Sequence, residues 1–241
     1  MKVNLKTITP DIENIIVEIA RVSSSRKDKT EKPEGLINYL IKNSHWSPFE
    51  CGYITFEIET SKAIGIQLLR HRSFTFQEFS QRYQEVGKIS DDGMFEPIEL
   101  RKQATNNRQS SEEVFDPEIL VEEGGDTWLD SSQTLTYSDV GLKSPFDEYM
   151  LASELIEQYL EESETLYNTL IDAGVAREQA RMILPMCTKT RIYMTGSVRS
   201  WIHFLSIRDD GHAQKEIQLI AKDIKSQFVD NLPIVSKALS W

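Results

Sequence analysis

The spacing of apolar and polar residues predicts helices and strands along most of the chain. Ile12, Ile16 and Ile19 recur at intervals of three and four residues, as on the buried face of a helix. In residues 51–60 apolar and polar positions alternate, which is typical of a strand with one buried face. The same two periods predict a strand over residues 188–194 and helices over residues 11–22, 33–41, 62–70, 146–172, 175–184, 198–207 and 212–228, with a last short helix opening at Pro233.

Small and polar residues mark the ends of these elements. The hydroxyls of Ser61 and Ser197 can cap the helices that follow them. Gly174 suits the end of the longest helix, and Gly196 is expected to break the strand before it. Together these patterns predict an α/β (α+β) fold with a central, mainly antiparallel sheet flanked by long helices.

Residues 87–147 lack sustained periodicity and are strongly acidic. They contain 14 Asp and Glu against 5 Lys and Arg, and so carry −9 of the formal charge of −11. Apart from a short helix near residues 112–121, we predict irregular structure, which in so long a stretch is usually functional, mobile or inserted. A shorter polar loop is predicted over residues 24–32. The whole chain, residues 1–241, is predicted to form a single domain that contains this acidic segment.

Composition narrows the class of protein. Charged residues at 27% and hydrophobic residues at 39% suit a soluble globular protein, and no apolar run reaches the roughly 18 residues of a membrane span. Cys51 and Cys187 form neither a disulfide framework nor a metal-spaced cluster, so a reducing, cytoplasmic setting is expected. We interpret both cysteines as small apolar fillers, because nothing near them in sequence favours a thiolate. The net charge argues against general affinity for nucleic acid, and no membrane partner is expected.

A cationic stretch over residues 70–83 stands out in this acidic chain. Arg70, Arg72 and Arg82 lie close to His71 and to a single carboxylate, Glu78, with phenylalanines between them. An anion held by arginine forks would explain this concentration, although most charge runs are exposed faces. His71, between two arginines, should resist protonation because a like charge disfavours its charged form.

A second group of candidate residues lies further along the chain. Arg199 and His203 are four residues apart on one face of a predicted helix, and with Ser197 at its N-terminus they could meet an anionic group such as a pyrophosphate. The alternative is that Arg199 simply pairs with an acid elsewhere. None of the four histidines shows the spacing of a zinc motif, so no metal site is predicted.

Three segments resemble the flavin-dependent thymidylate synthases. Arg70-His71-Arg72, followed after seven residues by Ser80-Gln81-Arg82-Tyr83, is similar to the signature of that family. Residues 205–218 resemble its second signature, and residues 176–185 fit an Ala-Arg-x-x-Leu-Pro pattern. The resemblance covers about residues 10–83 and 146–220. Gln77 is a departure, since family members commonly have Asn before the glutamate.

The resemblance implies an activity and its cofactors. It implies reductive methylation of dUMP to dTMP, with methylenetetrahydrofolate as the carbon donor and FAD, reduced by NADPH, as the hydride source. It also implies a homotetramer in which several subunits build each active site. Small molecules, and not nucleic acid or a membrane, are then the expected partners.

The resemblance also assigns residues. Arg208 is the implied catalytic residue: it would contact the uracil and help ionise N3, and a fixed guanidinium there would make C5 more nucleophilic. Without the family match, an ordinary Asp–Arg surface pair would be the better interpretation. The implied dUMP site comprises Gln67, Leu68, Leu69, Arg70, Glu78, Phe79, Ser80, Gln81, Arg82, Arg181 and Arg208. The implied FAD site comprises His45, Ser47, Arg70, His71, Arg72, Glu78, Ser197, Val198, Arg199 and His203.

Two other functions remain open at this point. Arg70, Arg72 and Arg82 with the interleaved phenylalanines could form a stacking platform for single-stranded nucleic acid. A degenerate homologue could bind the nucleotide without turnover.

Overall fold

The computed structural model of the chain describes residues 1–22, 32–107, 110–121 and 148–241. These residues form two compact units. The first comprises Met1–Glu96 and Met186–Trp241, and the second comprises Pro97–Pro185. The predicted loop over residues 24–32 lies almost wholly outside the described residues, as does the part of the acidic segment over residues 122–147.

The described chain contains both helices and antiparallel strands, which confirms the predicted mixed α/β class. The strands are β1 (Lys2–Ile8), β2 (Tyr53–Ser61), β3 (Phe74–Glu78), β4 (Arg101–Gln103), β5 (Ser111–Val114), β6 (Glu118–Val121), β7 (Glu148–Leu151) and β8 (Lys189–Ser197). The helices are α1 (Ile12–Ala20), α2 (Pro33–Lys42), α3 (Lys62–Leu69), α4 (Ala152–Asp172), α5 (Arg177–Ala180), α6 (Val198–Arg208), α7 (Lys215–Asn231) and α8 (Pro233–Ala238). Short 3-10 turns occupy Ser47–Glu50, Val86–Lys88 and Arg181–Ile183.

The first unit is built on a four-stranded antiparallel sheet with the order β1-β2-β8-β3. Strands β2 and β8 lie in the interior of this sheet. One face, with Ile54, Phe56 and Met194 at its centre, packs against helices and forms the hydrophobic core. In the described part of the chain, no helix has both the length and the apolar character needed to cross a membrane.

The prediction that β2 has only one buried face is wrong. Its polar residues Glu57 and Glu59 are buried as well. Glu59 accepts hydrogen bonds from Arg191 on the neighbouring strand, with an Nη2–Oε1 distance of 2.6 Å, and Glu57 pairs with Lys6 of β1. An inner strand is flanked on both sides, so the long cationic side chains of its neighbours cover the carboxylates.

The predicted helix caps are confirmed, but Gly196 does not act as a strand breaker. The Ser61 and Ser197 hydroxyls accept hydrogen bonds from the backbone N–H groups of Ile64 and Ser200, at 3.3 and 3.2 Å. Gly196 lies inside β8 and pairs with Phe74. A Cβ atom at this position would lie 2.4 Å from Cδ1 of Phe74, so glycine here makes room for an aromatic ring.

The second unit contains two antiparallel strand pairs, β4–β5 and β6–β7, together with α4 and α5. The helix predicted near residues 112–121 is wrong, because these residues form β5 and β6. The long helix also begins later than predicted, since residues 148–151 pair with β6 as β7. Gly174, with φ +84°, follows the end of α4 as predicted.

Candidate active site

Helix α6 is the element to which many of the predicted site residues are connected. Its buried Trp201 packs edge-on against Phe56 and Phe74, with ring centroids 5.0 and 4.7 Å away. The indole N–H also donates to the carbonyl oxygen of Ile54 at 3.1 Å. These contacts fix α6 to the sheet, so the side chains on its outer face project from a rigid support.

The N-terminal end of α6 is joined to the turn Ser47–Glu50. Glu50 accepts hydrogen bonds from Ser197 Oγ at 2.6 Å and from Arg199 Nη1 at 2.9 Å. The alternative interpretation of Arg199, pairing with an acid, is therefore what the structure contains. Both partners of this ion pair are about half exposed, with side-chain exposures of 52% and 44%, so the pair is weak and a bound anion can compete for Arg199.

The middle of α6 is joined to the cationic stretch. Ser200 Oγ donates to the carbonyl oxygen of Ser73 at 3.2 Å. The ring of His71 lies edge-on to Phe204, with centroids 4.9 Å apart. Phe74 is only 7% exposed and packs on Trp201. This phenylalanine belongs to the core and is not available as a platform on which bases could stack.

The C-terminal end of α6 brings the two sequence signatures together. Arg208 Nε donates to His71 Nε2 at 3.0 Å, although the two residues are 137 positions apart. The pKa of His71 is lowered from its usual 6.5 to about 4, first by burial and then by the charge of Arg208 and by His203. The imidazole is therefore neutral at pH 7, and the hydrogen bond assigns its proton to Nδ1. The predicted resistance to protonation is confirmed, but burial and Arg208 cause it.

Arg208 does not form the Asp–Arg pair considered as an alternative. Asp209 is instead paired with Lys225 at 2.8 Å, and Asp210 with His212 at 2.7 Å. Burial lowers the pKa of Arg208 from its usual value. Among the described residues, the Nη groups of Arg208 have no hydrogen-bond partner. An open cavity of about 370 Å³ adjoins this side chain, lined by Ser206, Ile207, Arg208, Asp210, His212 and Ala213.

A second contact joins α3, which precedes the first signature, to the second signature. Gln67 Nε2, on α3, donates to Gln214 Oε1 at 2.6 Å, immediately before α7 begins. Leu68 is fully buried, so its side chain belongs to the core and only its backbone could reach a ligand. Leu69 is partly exposed beside it.

Strand β3, which the sequence patterns did not predict, carries the acidic residue of the motif. Glu78 lies at its end and accepts hydrogen bonds from Lys62 Nζ at 2.7 Å and from Thr190 Oγ1 at 2.8 Å. Sequence reasoning missed both donors, because neither Lys62 nor Thr190 belongs to a recognised motif. The chain continues through Phe79, whose N–H donates to the carbonyl oxygen of Arg191 at 2.8 Å.

The Ser80-Gln81-Arg82 segment follows β3 directly. Ser80 is partly exposed, and Arg82 is exposed with its guanidinium 5.7 Å from the ring centre of Tyr83. Gln81 is only 6% exposed, and its buried Nε2 has no hydrogen-bond partner among the residues that the structure describes. An unpaired buried amide donor is costly, so this nitrogen is a candidate for contact with a ligand.

Three arginines in the cationic stretch are available to a ligand. Arg70, Arg72 and Arg82 are exposed, and within the described ranges no carboxylate lies at ion-pair distance from any of them. Unpaired guanidinium groups are unusual in a chain of charge −11. Arg70 and Arg72, like the exposed His203 and the weakly paired Arg199, offer the kind of donors that an anionic pyrophosphate such as that of FAD requires.

The remaining predicted site residues differ in accessibility. His45 is exposed, edge-on to Tyr39 at 5.8 Å, and Ser47 is exposed nearby in the chain. Ser197 and Val198 are buried, and the Val198 N–H donates to the carbonyl oxygen of Gly52, so both residues support the turn. Arg181 belongs to the second unit, where its Nε donates to the carbonyl oxygen of Glu178 at 3.4 Å.

The interpretation of both cysteines as apolar fillers is wrong for one of them. Cys51 is exposed, so it fills no part of the core. Cys187 is partly buried, and burial raises the pKa of its thiol, which disfavours a nucleophilic thiolate. The described residues contain no cluster of three or more His, Cys, Asp or Glu side chains that could hold a metal ion.

Comparison with known proteins shows which family the chain resembles over nearly its whole length. Residues 4–234 match the family model described as thymidylate synthase complementing protein. The chain is 38% identical to a flavin-dependent thymidylate synthase of Synechocystis over 95% of its own length and 90% of the relative's. It is 36% identical to a probable flavin-dependent thymidylate synthase of Paramecium bursaria Chlorella virus 1, over 95% of this chain and 91% of the relative.

A solved structure has the same fold. It is the UMP/dUMP methylase PolB of Streptomyces cacaoi bound with 5-Br dUMP, which is 26% identical and superposes with a TM-score of 0.70. The match covers 99% of this chain and 94% of PolB. With the family model and the relatives matching nearly end to end, the chain belongs to the flavin-dependent thymidylate synthase family.

Proposed function

We propose that this chain catalyses the reductive methylation of dUMP to dTMP, with methylenetetrahydrofolate as carbon donor and FAD, reduced by NADPH, as hydride source. The observation that carries the proposal is the hydrogen bond between Arg208 and His71, which joins the two signatures at one place. The relatives are named as flavin-dependent thymidylate synthases, and the solved relative is a UMP/dUMP methylase.

Arg208 is assigned to the pyrimidine. His71 engages Nε at 3.0 Å, so the guanidinium is oriented while its Nη groups remain available as donors. Positive charge held at a fixed position stabilises the negative charge that develops on the ring when N3 is ionised, and so makes C5 a better nucleophile. Partial burial strengthens this interaction because it lowers the local dielectric constant.

The phosphate is assigned to Ser80, Gln81 and Arg82, and Arg181 is assigned to the nucleotide as a whole. Arg82 offers an exposed guanidinium, and Gln81 Nε2 offers a donor that has no partner in the described part of the chain. Gln67, the backbone of Leu68 and Leu69, Arg70, Glu78 and Phe79 are assigned to the rest of the nucleotide.

FAD is assigned to the exposed cations and polar groups at the outer face of α6 and around it. Arg70, Arg72 and Arg199 would hold its pyrophosphate. The remaining contacts are assigned to His45, Ser47, His71, Glu78 and His203, while the buried Ser197 and Val198 hold the N-terminal end of α6, from which Arg199 projects. The bound flavin supplies the hydride, and these residues bind and orient it.

The assembly is proposed to be a homotetramer with shared active sites. Arg70, Arg72 and His203 are exposed in the single chain although they are assigned to a ligand site, which suits a site that another subunit completes. Light scattering on the purified protein tests this directly: a mass four times that of the 27.7 kDa chain is expected, and a monomer would refute it.

The experiment that tests the function is tritium release from C5-labelled dUMP. Purified protein should be yellow and, with methylenetetrahydrofolate and NADPH present, should release tritium as dTMP forms. Flavin-loaded protein that binds dUMP but releases no tritium would refute the proposed reaction and leave the nucleotide-binding interpretation.

A further inference from the structure

The two oxygen atoms of the Glu78 carboxylate differ in their hydrogen bonds. Its Oε1 atom accepts two hydrogen bonds, from Lys62 Nζ at 2.7 Å and from Thr190 Oγ1 at 2.8 Å. Within the described residues, no donor contacts Oε2. The side chain of Glu78 is 26% exposed, so Oε2 can accept a hydrogen bond from a bound molecule.

Both donors are held by rigid parts of the first unit. Thr190 is fully buried on β8, two residues from Ile192, which pairs with Glu78. Lys62 opens α3, and the first turn of this helix is joined to the chain before β8: the N–H of Lys62 donates to Thr188 at 2.8 Å, and that of Ala63 to Met186 at 3.0 Å. The two donors therefore cannot easily follow a movement of the carboxylate.

Gly65 allows this arrangement to be compact. A Cβ atom there would lie 3.2 Å from Thr190 Cγ2 and 3.9 Å from Glu78 Oε1. Because glycine has no side chain, α3 can approach β8 closely enough to bring Lys62 to the carboxylate.

We propose that Lys62 and Thr190 are positioning residues that hold Glu78 by Oε1, so that Oε2 faces a hydroxyl or N–H donor of the bound nucleotide. This inference rests on the proposed function. A carboxylate repels the phosphate of dUMP, so its partner on the nucleotide is a donor on the sugar or the base. Two fixed donors on one oxygen select a single rotamer of the carboxylate before the ligand arrives.

The test compares dUMP binding by FAD-loaded variants, measured by isothermal titration calorimetry. Lys62→Met should raise the Kd for dUMP by about tenfold, as expected when one charge-assisted hydrogen bond no longer orients the acceptor. Lys62→Arg keeps the charge and should remain within about threefold of wild type. Lys222→Met removes an exposed lysine of α7 and serves as the matched control, with no change expected.

Thr190 gives an independent pair of variants. Thr190→Val removes the hydroxyl at nearly constant volume and should weaken dUMP binding, whereas Thr190→Ser keeps the hydroxyl and should bind dUMP almost as wild type does. Melting temperatures measured in parallel identify any variant that fails to fold. If Lys62→Met unfolds, the Thr190 pair still decides, because equal affinities for Val and Ser would overturn the inference.

A double-mutant cycle with Glu78→Gln shows whether Lys62 acts through Glu78. Once the carboxylate is replaced, adding Lys62→Met should change the Kd by less than about twofold, because coupled residues do not have additive effects. Additive losses would overturn the inference, as would unchanged dUMP affinity in Lys62→Met. If wild-type protein itself does not bind dUMP, the proposed function fails, and this inference fails with it.

Discussion

Replacing Arg208 with alanine should remove most turnover while leaving FAD bound. The side chain lies at the end of α6, and its one hydrogen bond within the described residues joins Nε to His71. The helix end is held separately, because Asp209 pairs with Lys225 at 2.8 Å. The substitution therefore removes a guanidinium without removing the support of the helix.

The size of the expected loss in kcat depends on how deeply the guanidinium of Arg208 is buried. Loss of one preorganised donor aimed at developing negative charge costs about 100- to 1000-fold in kcat. Arg208 is only partly buried, so solvent screens part of its charge, and we expect the lower end, about 100-fold, equivalent to about 2.7 kcal/mol. Arg208→Lys keeps the positive charge but loses the planar guanidinium, and its kcat should lie between those of Arg208→Ala and wild type.

The assay is the initial rate of tritium release from C5-labelled dUMP at saturating methylenetetrahydrofolate and NADPH. The flavin-to-protein ratio is read from the absorbance spectrum of each preparation. Arg177→Ala, which removes an exposed guanidinium from α5, is the control and should retain wild-type turnover. Turnover within about threefold of wild type in Arg208→Ala would refute the role of this residue in charge stabilisation. Loss of flavin in proportion to activity would also refute it, since Arg208 would then act in cofactor binding.

Three further predictions concern other parts of the first unit. Ser80→Ala should raise the Kd for dUMP by about tenfold with flavin content unchanged, because one hydrogen bond to the charged phosphate is lost; calorimetry measures it, and unaltered affinity would contradict the assignment. The pKa of His71 is lowered from 6.5 to about 4 in the folded chain. Between these two pH values the unfolded chain binds a proton at His71 and the folded chain does not, so the free energy of unfolding decreases as the pH falls. The decrease in the free energy of unfolding is absent above pH 6.5 and reaches about 1–2 kcal/mol at pH 4, after allowance for partial exposure of the ring. Urea denaturation at several pH values should show this decrease in wild type and not in His71→Asn. Gly196→Ala should lower the free energy of unfolding by about 1–3 kcal/mol, because its Cβ would lie 2.4 Å from Phe74 Cδ1; Gly35→Ala, with nothing within 4 Å, is the control and should not destabilise.

Hydrophobic periodicity predicted most of the helices and both inner strands, but it missed β1 and predicted a helix over residues 175–184, where the structure has only the four-residue α5 and a 3-10 turn. It failed for short elements, for which it is ambiguous. β5 and β6 have four residues each, too few to separate a strand from a turn of helix, and pairing with β4 and β7 decides their structure. β3 was missed although Phe74 and Phe76 alternate with polar residues, because the stretch was interpreted only as a ligand motif.

The candidate site was predictable as a set of residues but not as a set of contacts. The motifs indicate Arg208, His71 and Glu78 individually. They do not indicate that Arg208 donates to His71 across 137 residues. Nor do they indicate that Lys62 and Thr190 converge on Glu78, since such meetings depend on the order of strands in the sheet.

His71 cannot act as a general base while Arg208 holds it. Its only basic lone pair, on Nε2, already accepts the guanidinium N–H at 3.0 Å, and a pKa of about 4 makes it a poor proton acceptor at neutral pH. The proton that leaves C5 of the pyrimidine must therefore pass to a different acceptor. His71 orients the guanidinium of Arg208 by accepting its hydrogen bond. Protonation of His71 in acid would remove that acceptor and place two positive charges next to each other, where they would repel.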